Sequence, residues 1–240
     1  MNCKRISMWS GPRNISTALM YAFRQRSDTA VVDEPLYGYY LERSGAEHPG
    51  RERVMAAIDC DGERVVREVL LGECKRPVLF LKNMAHHLTG LEPGFLEKLE
   101  HLLLTREPSA MLASLSQQLP EPTLRDTGLK EQVELLDYLL ERGRSPVVLE
   151  AKQVLLDPKK VLHEACDRLG LPFEDAMLSW PSGPKPEDGV WADYWYDNVH
   201  GSSGFAPYRP SSRPLPERLE PLLAECLPYF ERLSAYAITA

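Results

Sequence analysis

No stretch of this sequence approaches the roughly 20 consecutive apolar residues that a membrane span needs, and its N-terminus has no apolar run of signal-peptide length. The expectation is a cytoplasmic protein with no membrane partner. Positive charge is also in short supply. The 28 Lys+Arg against 35 Asp+Glu leave a net charge of −7, which speaks against a nucleic-acid or anionic-membrane surface. Any anion site must then be local. Cysteine is scarce and scattered: Cys3, Cys60, Cys74, Cys166 and Cys226 include no CxxC pair. That pattern argues against a disulfide framework and a zinc site, and it predicts reduced, partly buried thiols. Fixed-period repeats and low-complexity tracts are missing as well, which leaves an ordinary globular chain.

What is present fits that class. A chain of 240 residues, 43% hydrophobic and 26% charged, suits one α/β domain, because single cores stay economical up to roughly 250–300 residues. Short Val/Ile/Leu-rich runs at Arg5–Trp9, Thr29–Val32, Pro77–Leu81, Leu99–Thr105 and Pro146–Leu149 alternate with helical patterns, as strands of a parallel sheet do. The clearest helix runs from Pro158 to Leu169, with Asp157 as N-cap and Gly170 as the stop; others span about Leu129–Arg142 and begin near Pro216. Residues 180–216 are rich in Pro, Gly and Ser and carry three of the four tryptophans. So long a loop with so many aromatics predicts an ordered cover over a site.

The stretch SMWSGPRNISTALMYAF at 7–23 reads as a strand, a Gly/Pro turn and a helix opening on Ser16 and Thr17. Such a turn presents unpaired backbone N–H groups and the positive end of a helix dipole to an anion. The pattern GxxxxGK[ST] of nucleoside triphosphatases is not met, since the cation is Arg13, there is no second glycine, and no lysine precedes Ser16. A second segment, LLLTREPSAMLASL at 102–115, places Arg106 at a strand end and Ser114 two turns into the helix that follows.

Together these segments resemble the sulfotransferase family that uses 3′-phosphoadenosine 5′-phosphosulfate. PRNIST at 12–17 matches the family's PKSGTT-like 5′-phosphosulfate loop, and Arg106 with Ser114 matches its 3′-phosphate pair. VVLEAKQVLLDPKKVLHEACDRLGLPF at 147–173 and VHGSSGF at 199–205 follow in the family's order, the latter in the place of its glycine-rich loop over the cofactor. The resemblance implies a three-layer α/β sandwich like that of P-loop nucleoside triphosphatases, with a central, mostly parallel sheet and helices on both faces. It further implies sulfuryl transfer from 3′-phosphoadenosine 5′-phosphosulfate to a hydroxyl or amine of a small-molecule acceptor, with adenosine 3′,5′-bisphosphate as product and no metal required. The cofactor residues it implies are Arg13, Asn14, Ile15, Ser16, Thr17, Arg106, Ser114, Gly201, Ser202, Ser203 and Gly204. Two departures stand out: Arg13 replaces the loop lysine, and the Arg-Lys that leads the family's glycine-rich loop is missing, its role open to Arg209.

Sulfuryl transfer needs a base for the acceptor proton and a cation for charge developing on the bridging oxygen. VLFLKNMAHHL at 78–88 puts Lys82 at a strand end with His86 and His87 one turn on, where two histidines of one helix are not expected to face a single pocket. AVVDEPLY at 30–37 offers Asp33 and Glu34. The candidate catalytic residues are therefore His86, His87, Glu34 and Lys82, with His86 nearer the family's spacing for the base. AVVDE also reads as a short Walker B strand, which leaves open a kinase or hydrolase of ATP or GTP; a non-catalytic binding protein on the same fold is a third reading. Trp191, Tyr194, Trp195 and Tyr196 either line an acceptor pocket or pack their loop onto the core.

Overall fold

In the computed structural model, which describes residues 3–240, the five expected strands are all formed. They are β1 (Lys4–Ser10), β2 (Thr29–Asp33), β3 (Val78–Met84), β4 (Glu100–Thr105) and β5 (Val147–Glu150), joined in one central sheet of order β2-β3-β1-β4-β5. β2 pairs with β3 and β4 with β5 in parallel. The main helices are α1 (Ser16–Arg24), α2 (Tyr37–Ser44), α3 (Pro108–Leu115), α4 (Leu129–Glu141), α5 (Pro158–Arg168) and α6 (Glu220–Ser234). Asp157 caps α5 by accepting the Lys160 N–H at 3.0 Å, and Gly170 ends it at φ 64°.

One strand is longer than its composition suggests. The apolar run of β3 stops at Leu81, yet the strand continues through Lys82 and Asn83, both buried. Each has a polar partner that makes burial tolerable: Asn83 Nδ2 donates to Ser7 Oγ at 3.0 Å, and the β2–β3 register sets Lys82 opposite Asp33.

The chain divides into two compact units. The first holds the chain through Met8, residues Ser16–His101 and Glu174–Phe205. There α1 packs on β2 and β3, with Phe23 stacked on Phe80 at 4.1 Å. Trp191, Ala192 and Tyr196 from the Pro/Gly-rich segment bury with Tyr37, Tyr40, Leu41 and Val54, so this part of the segment is ordered, as its aromatics predict. The second unit holds Trp9–Ile15, Leu102–Phe173 and Ala206–Ala240, and in it α6 packs on α4, α3 and β5.

The cysteine expectation is corrected. Cys3 and Cys74 form a disulfide, while Cys60, Cys166 and Cys226 are free thiols. The two halves lie 71 residues apart in sequence, but the Lys4 N–H donates to the Pro77 carbonyl at 2.9 Å, which brings the start of β1 beside the approach to β3 and leaves the two Cα atoms 6.2 Å apart. Among the described residues no helix is long and apolar enough to cross a membrane.

Candidate functional site

The turn after β1 is built for a close approach of backbone to backbone. A Cβ at Gly11 would collide with the Thr127 carbonyl oxygen, so only glycine fits. Asn14 then fixes the loop at both ends: its Oδ1 accepts the Ile15 N–H at 2.8 Å and its Nδ2 donates to the Leu104 carbonyl at 3.2 Å. Arg13 between them is held at φ 52°. Its Nε donates to Ser114 Oγ at 3.0 Å, and Arg106 Nη1 donates to the Arg13 carbonyl oxygen. Three residues named from sequence thus meet in the second unit. Burial, then the Arg13 charge, pull the Arg106 guanidinium below its usual range.

The first unit contains a second convergence. Lys82 Nζ donates to Asp33 Oδ1 at 2.8 Å, to Glu34 Oε1 and to Tyr196 Oη at 2.6 Å, and its side chain is 1% exposed. Tyr196 Oη donates to Asp33 Oδ2 at 2.8 Å and accepts the Trp191 indole N–H at 3.1 Å, with Thr17 also within its reach. The Gly189 N–H donates to Asp33 Oδ2 at 3.3 Å. Glu34 stands at φ 39°, with its N–H donated to the Lys82 carbonyl at 2.8 Å, before Pro35 leads into α2. It does not cap that helix, whose N-cap is Leu36 with no side-chain bond.

Asp33 and Glu34 share one ammonium in a dry site. Burial pushes the Glu34 carboxyl up; Lys82 pulls it down and Asp33 pushes it up again, and the balance lies above the usual carboxylate range. Burial alone would lower Lys82, but Asp33 and Glu34 hold its ammonium above the ordinary lysine value. Burial, followed by Asp33 and Glu34, also lifts the Tyr196 phenol well above its usual range.

His86 and His87 sit in a 3₁₀ turn, Ala85–Leu88, directly after β3. The two rings do meet in one place, since both lie against Tyr40, at 4.6 and 5.0 Å between centroids. His87 Nε2 is 4.0 Å from Glu34 Oε2, and burial with the neighbouring His86, His48 and Lys82 keeps its imidazole well below its normal pKa. In the 199–205 segment, Ser202 Oγ accepts the Trp180 indole N–H at 3.2 Å, Ser203 accepts the Trp180 backbone N–H at 3.1 Å, and a Cβ at Gly204 would lie 2.9 Å from the Leu178 carbonyl. Gly201 follows the turn Asp197–His200 and is exposed.

Sequence reasoning named most of these residues but gave Tyr196 no role beyond lining or packing. The available signal was weak: a tyrosine in an aromatic-rich loop does not announce that its hydroxyl will meet two acids and a lysine. Backbone strain gives independent support for two of the candidates. Among the described residues, Arg13 and Glu34 are the non-glycine positions with positive φ, a conformation costing on the order of 1–3 kcal/mol that concentrates at functional sites.

The chain is similar to known proteins. Branched-chain-amino-acid aminotransferase-like protein 1 of Arabidopsis thaliana is 38% identical over 232 residues, a match covering 96% of this chain and 42% of that protein; the chain thus spans about two-fifths of that relative. Among solved structures, the sulfotransferase domain from the Synechococcus PCC 7002 olefin synthase superposes with a TM-score of 0.56 at 17% identity, over 95% of this chain and 96% of that one. A sulfotransferase from Alicyclobacillus acidocaldarius gives 0.53 at 15% identity, over 98% and 96%; at such identities the likeness is one of fold. A family model described as a sulfotransferase domain matches residues 4–237, and the chain belongs to the sulfotransferase family.

Proposed function

We propose that this chain transfers a sulfuryl group from 3′-phosphoadenosine 5′-phosphosulfate to a hydroxyl or amine of a small-molecule acceptor. The observation that carries this reading is the meeting of Arg106 and Ser114 with Arg13. Two guanidinium groups and a hydroxyl drawn together against their mutual repulsion suit a compact dianion such as a ribose 3′-phosphate, which ATP lacks. Asn14, Ile15, Ser16 and Thr17, at the turn into α1, present N–H and hydroxyl donors for the 5′ end. Gly201, Ser202, Ser203 and Gly204, with the rest of the 180–216 segment, act as its cover in a single catalytic domain.

For the proton, Glu34 is the better-supported base. Its carboxyl is raised above the usual carboxylate range by burial and held by Lys82, which is also the cation for charge on the bridging oxygen. His87, held well below its normal pKa, is a weak base, and His86 is the rival. The Walker B reading of AVVDE loses ground because Asp33 and Glu34 already share the Lys82 ammonium. Calorimetric titration with adenosine 3′,5′-bisphosphate and with ATP-Mg²⁺ tests the proposal: the bisphosphate should bind and ATP-Mg²⁺ should bind far more weakly. Tight ATP binding without bisphosphate binding would overturn it in favour of a kinase or hydrolase. Binding of the bisphosphate with no turnover across a panel of phenols, alcohols and amines would favour a non-catalytic binding protein.

A further inference from the structure

We infer that Arg13, the cation of the phosphosulfate loop, reads the 3′-phosphate and not the 5′-phosphosulfate. This rests on the proposed donor. By its place in the sequence Arg13 stands where a loop cation would face the 5′ end, but its guanidinium goes elsewhere. Nε donates to Ser114 Oγ, 101 residues away, at 3.0 Å, and the Arg13 backbone carbonyl is in turn held by Arg106. Both contacts are made from a residue held at a positive φ of 52°, a conformation non-glycine residues seldom adopt.

The chemistry of the trio favours one phosphate. A serine hydroxyl has one donor and two acceptor positions. With one acceptor position taken by Arg13 Nε–H, the Ser114 proton is left to donate to an oxygen of the ligand. The Arg13 fork flanks it on one side, and Arg106, eight residues before Ser114 in sequence, supplies the second cation. Burial and the Arg13 charge both disfavour the Arg106 cation. A dianion placed against the two guanidinium groups removes that penalty, and bidentate arginine contacts match phosphate geometry. The missing Arg-Lys of the 199–205 segment is then replaced from the loop itself, and Arg209, which is exposed, is not needed for the task.

The test uses adenosine 3′,5′-bisphosphate and adenosine 5′-monophosphate, titrated calorimetrically into the full chain and into Arg13→Gln and Arg106→Ala. Gln keeps a side chain at the positive-φ position, so the backbone demand is unchanged while the fork is lost. Wild type should bind the bisphosphate at least about tenfold more tightly than the monophosphate. Arg13→Gln should weaken the bisphosphate by about 10- to 150-fold, the range for a charge-assisted contact, and the monophosphate by less than about twofold. Arg13→Lys, which keeps the charge without the fork, should fall between. Equal losses on both ligands in Arg13→Gln, with the wild-type preference intact, would overturn the inference alone and return Arg13 to the 5′ end. A wild type that does not prefer the bisphosphate would overturn the proposed donor and this inference with it.

Discussion

Replacing Lys82 by methionine removes the cation while roughly keeping the volume, and its consequence should depend on pH in a direction the structure dictates. In the wild type the ammonium lies between Asp33 and Glu34 in a site sealed from water. Taking one partner from a buried ionic group costs about 3–5 kcal/mol, because the charge left behind is uncompensated. Near pH 8 that is the expected loss. Lys82 itself, raised above its ordinary value, contributes stability that is fully present below about 10.4 and is lost only above its folded pKa, so it gives no slope between pH 5 and 8. Glu34 does. Its folded pKa is already raised, and without Lys82 the one strong attraction opposing burial is gone, so it climbs further. A group raised in this way contributes stability that is fully present below its unfolded value, about 4.3, and lost as pH rises through the folded value. The native variant holds a proton that the unfolded chain releases, at about 1.4 kcal/mol per pH unit. The deficit of Lys82→Met relative to wild type should therefore shrink by at least half between pH 8 and pH 5. Urea unfolding followed by tryptophan fluorescence at four pH values measures it, with titrating groups that do not touch Lys82 cancelling in the difference. A deficit that is the same at pH 5 and pH 8 would refute the idea that Lys82 balances a buried carboxylate.

Other variants probe the remaining parts. Arg106→Ala should weaken adenosine 3′,5′-bisphosphate by about 1.5–3 kcal/mol, with the 5′-monophosphate nearly unchanged by calorimetry; equal losses would remove Arg106 from the 3′-phosphate. Glu34→Gln should lower turnover, read as bisphosphate release with an active acceptor, by about 10²–10⁴-fold while bisphosphate affinity holds. His86→Ala should stay within about threefold of wild type, and the opposite ranking would transfer the proton to His86. Tyr196→Phe deletes the hydroxyl that donates to Asp33 and accepts from Trp191, so urea unfolding should show a loss of about 1–3 kcal/mol. Turnover should persist in EDTA; its complete loss, restored by Mg²⁺, would favour the kinase or hydrolase reading.

Most of the fold was legible because its signals are local. Strands covered on both faces need unbroken apolar runs, and all five runs became strands; Asp157, Pro158 and Gly170 bounded α5 by capping chemistry that needs no tertiary information. The loop residues Arg13 to Thr17 and the pair Arg106 and Ser114 were legible for a similar reason, since a strand that turns into a helix is written in Gly, Pro, Ser and Thr. What could not be read were pairings between distant segments. The Cys3–Cys74 bridge depends on β1 starting beside the approach to β3, and no cysteine spacing encodes that neighbour.

The same limitation explains why β3 was expected to end too early, and the reason bears on the site. A lysine after an apolar run reads as a strand end because a lone ammonium is too costly to bury. In this chain it is not alone: the register puts Asp33, 49 residues earlier, opposite Lys82, Glu34 follows at once, and Tyr196 arrives from 114 residues later. Only the assembled sheet makes the burial affordable, and that burial, with Asp33 beside it, leaves Glu34 raised against the pull of the Lys82 ammonium. The polar interruption that hides the end of β3 from a hydrophobicity reading is therefore the same residue whose ammonium pulls against burial at the carboxyl proposed as the base. An apolar residue at position 82 would make the strand easy to recognise while removing both the cation and the balance that holds Glu34 in place.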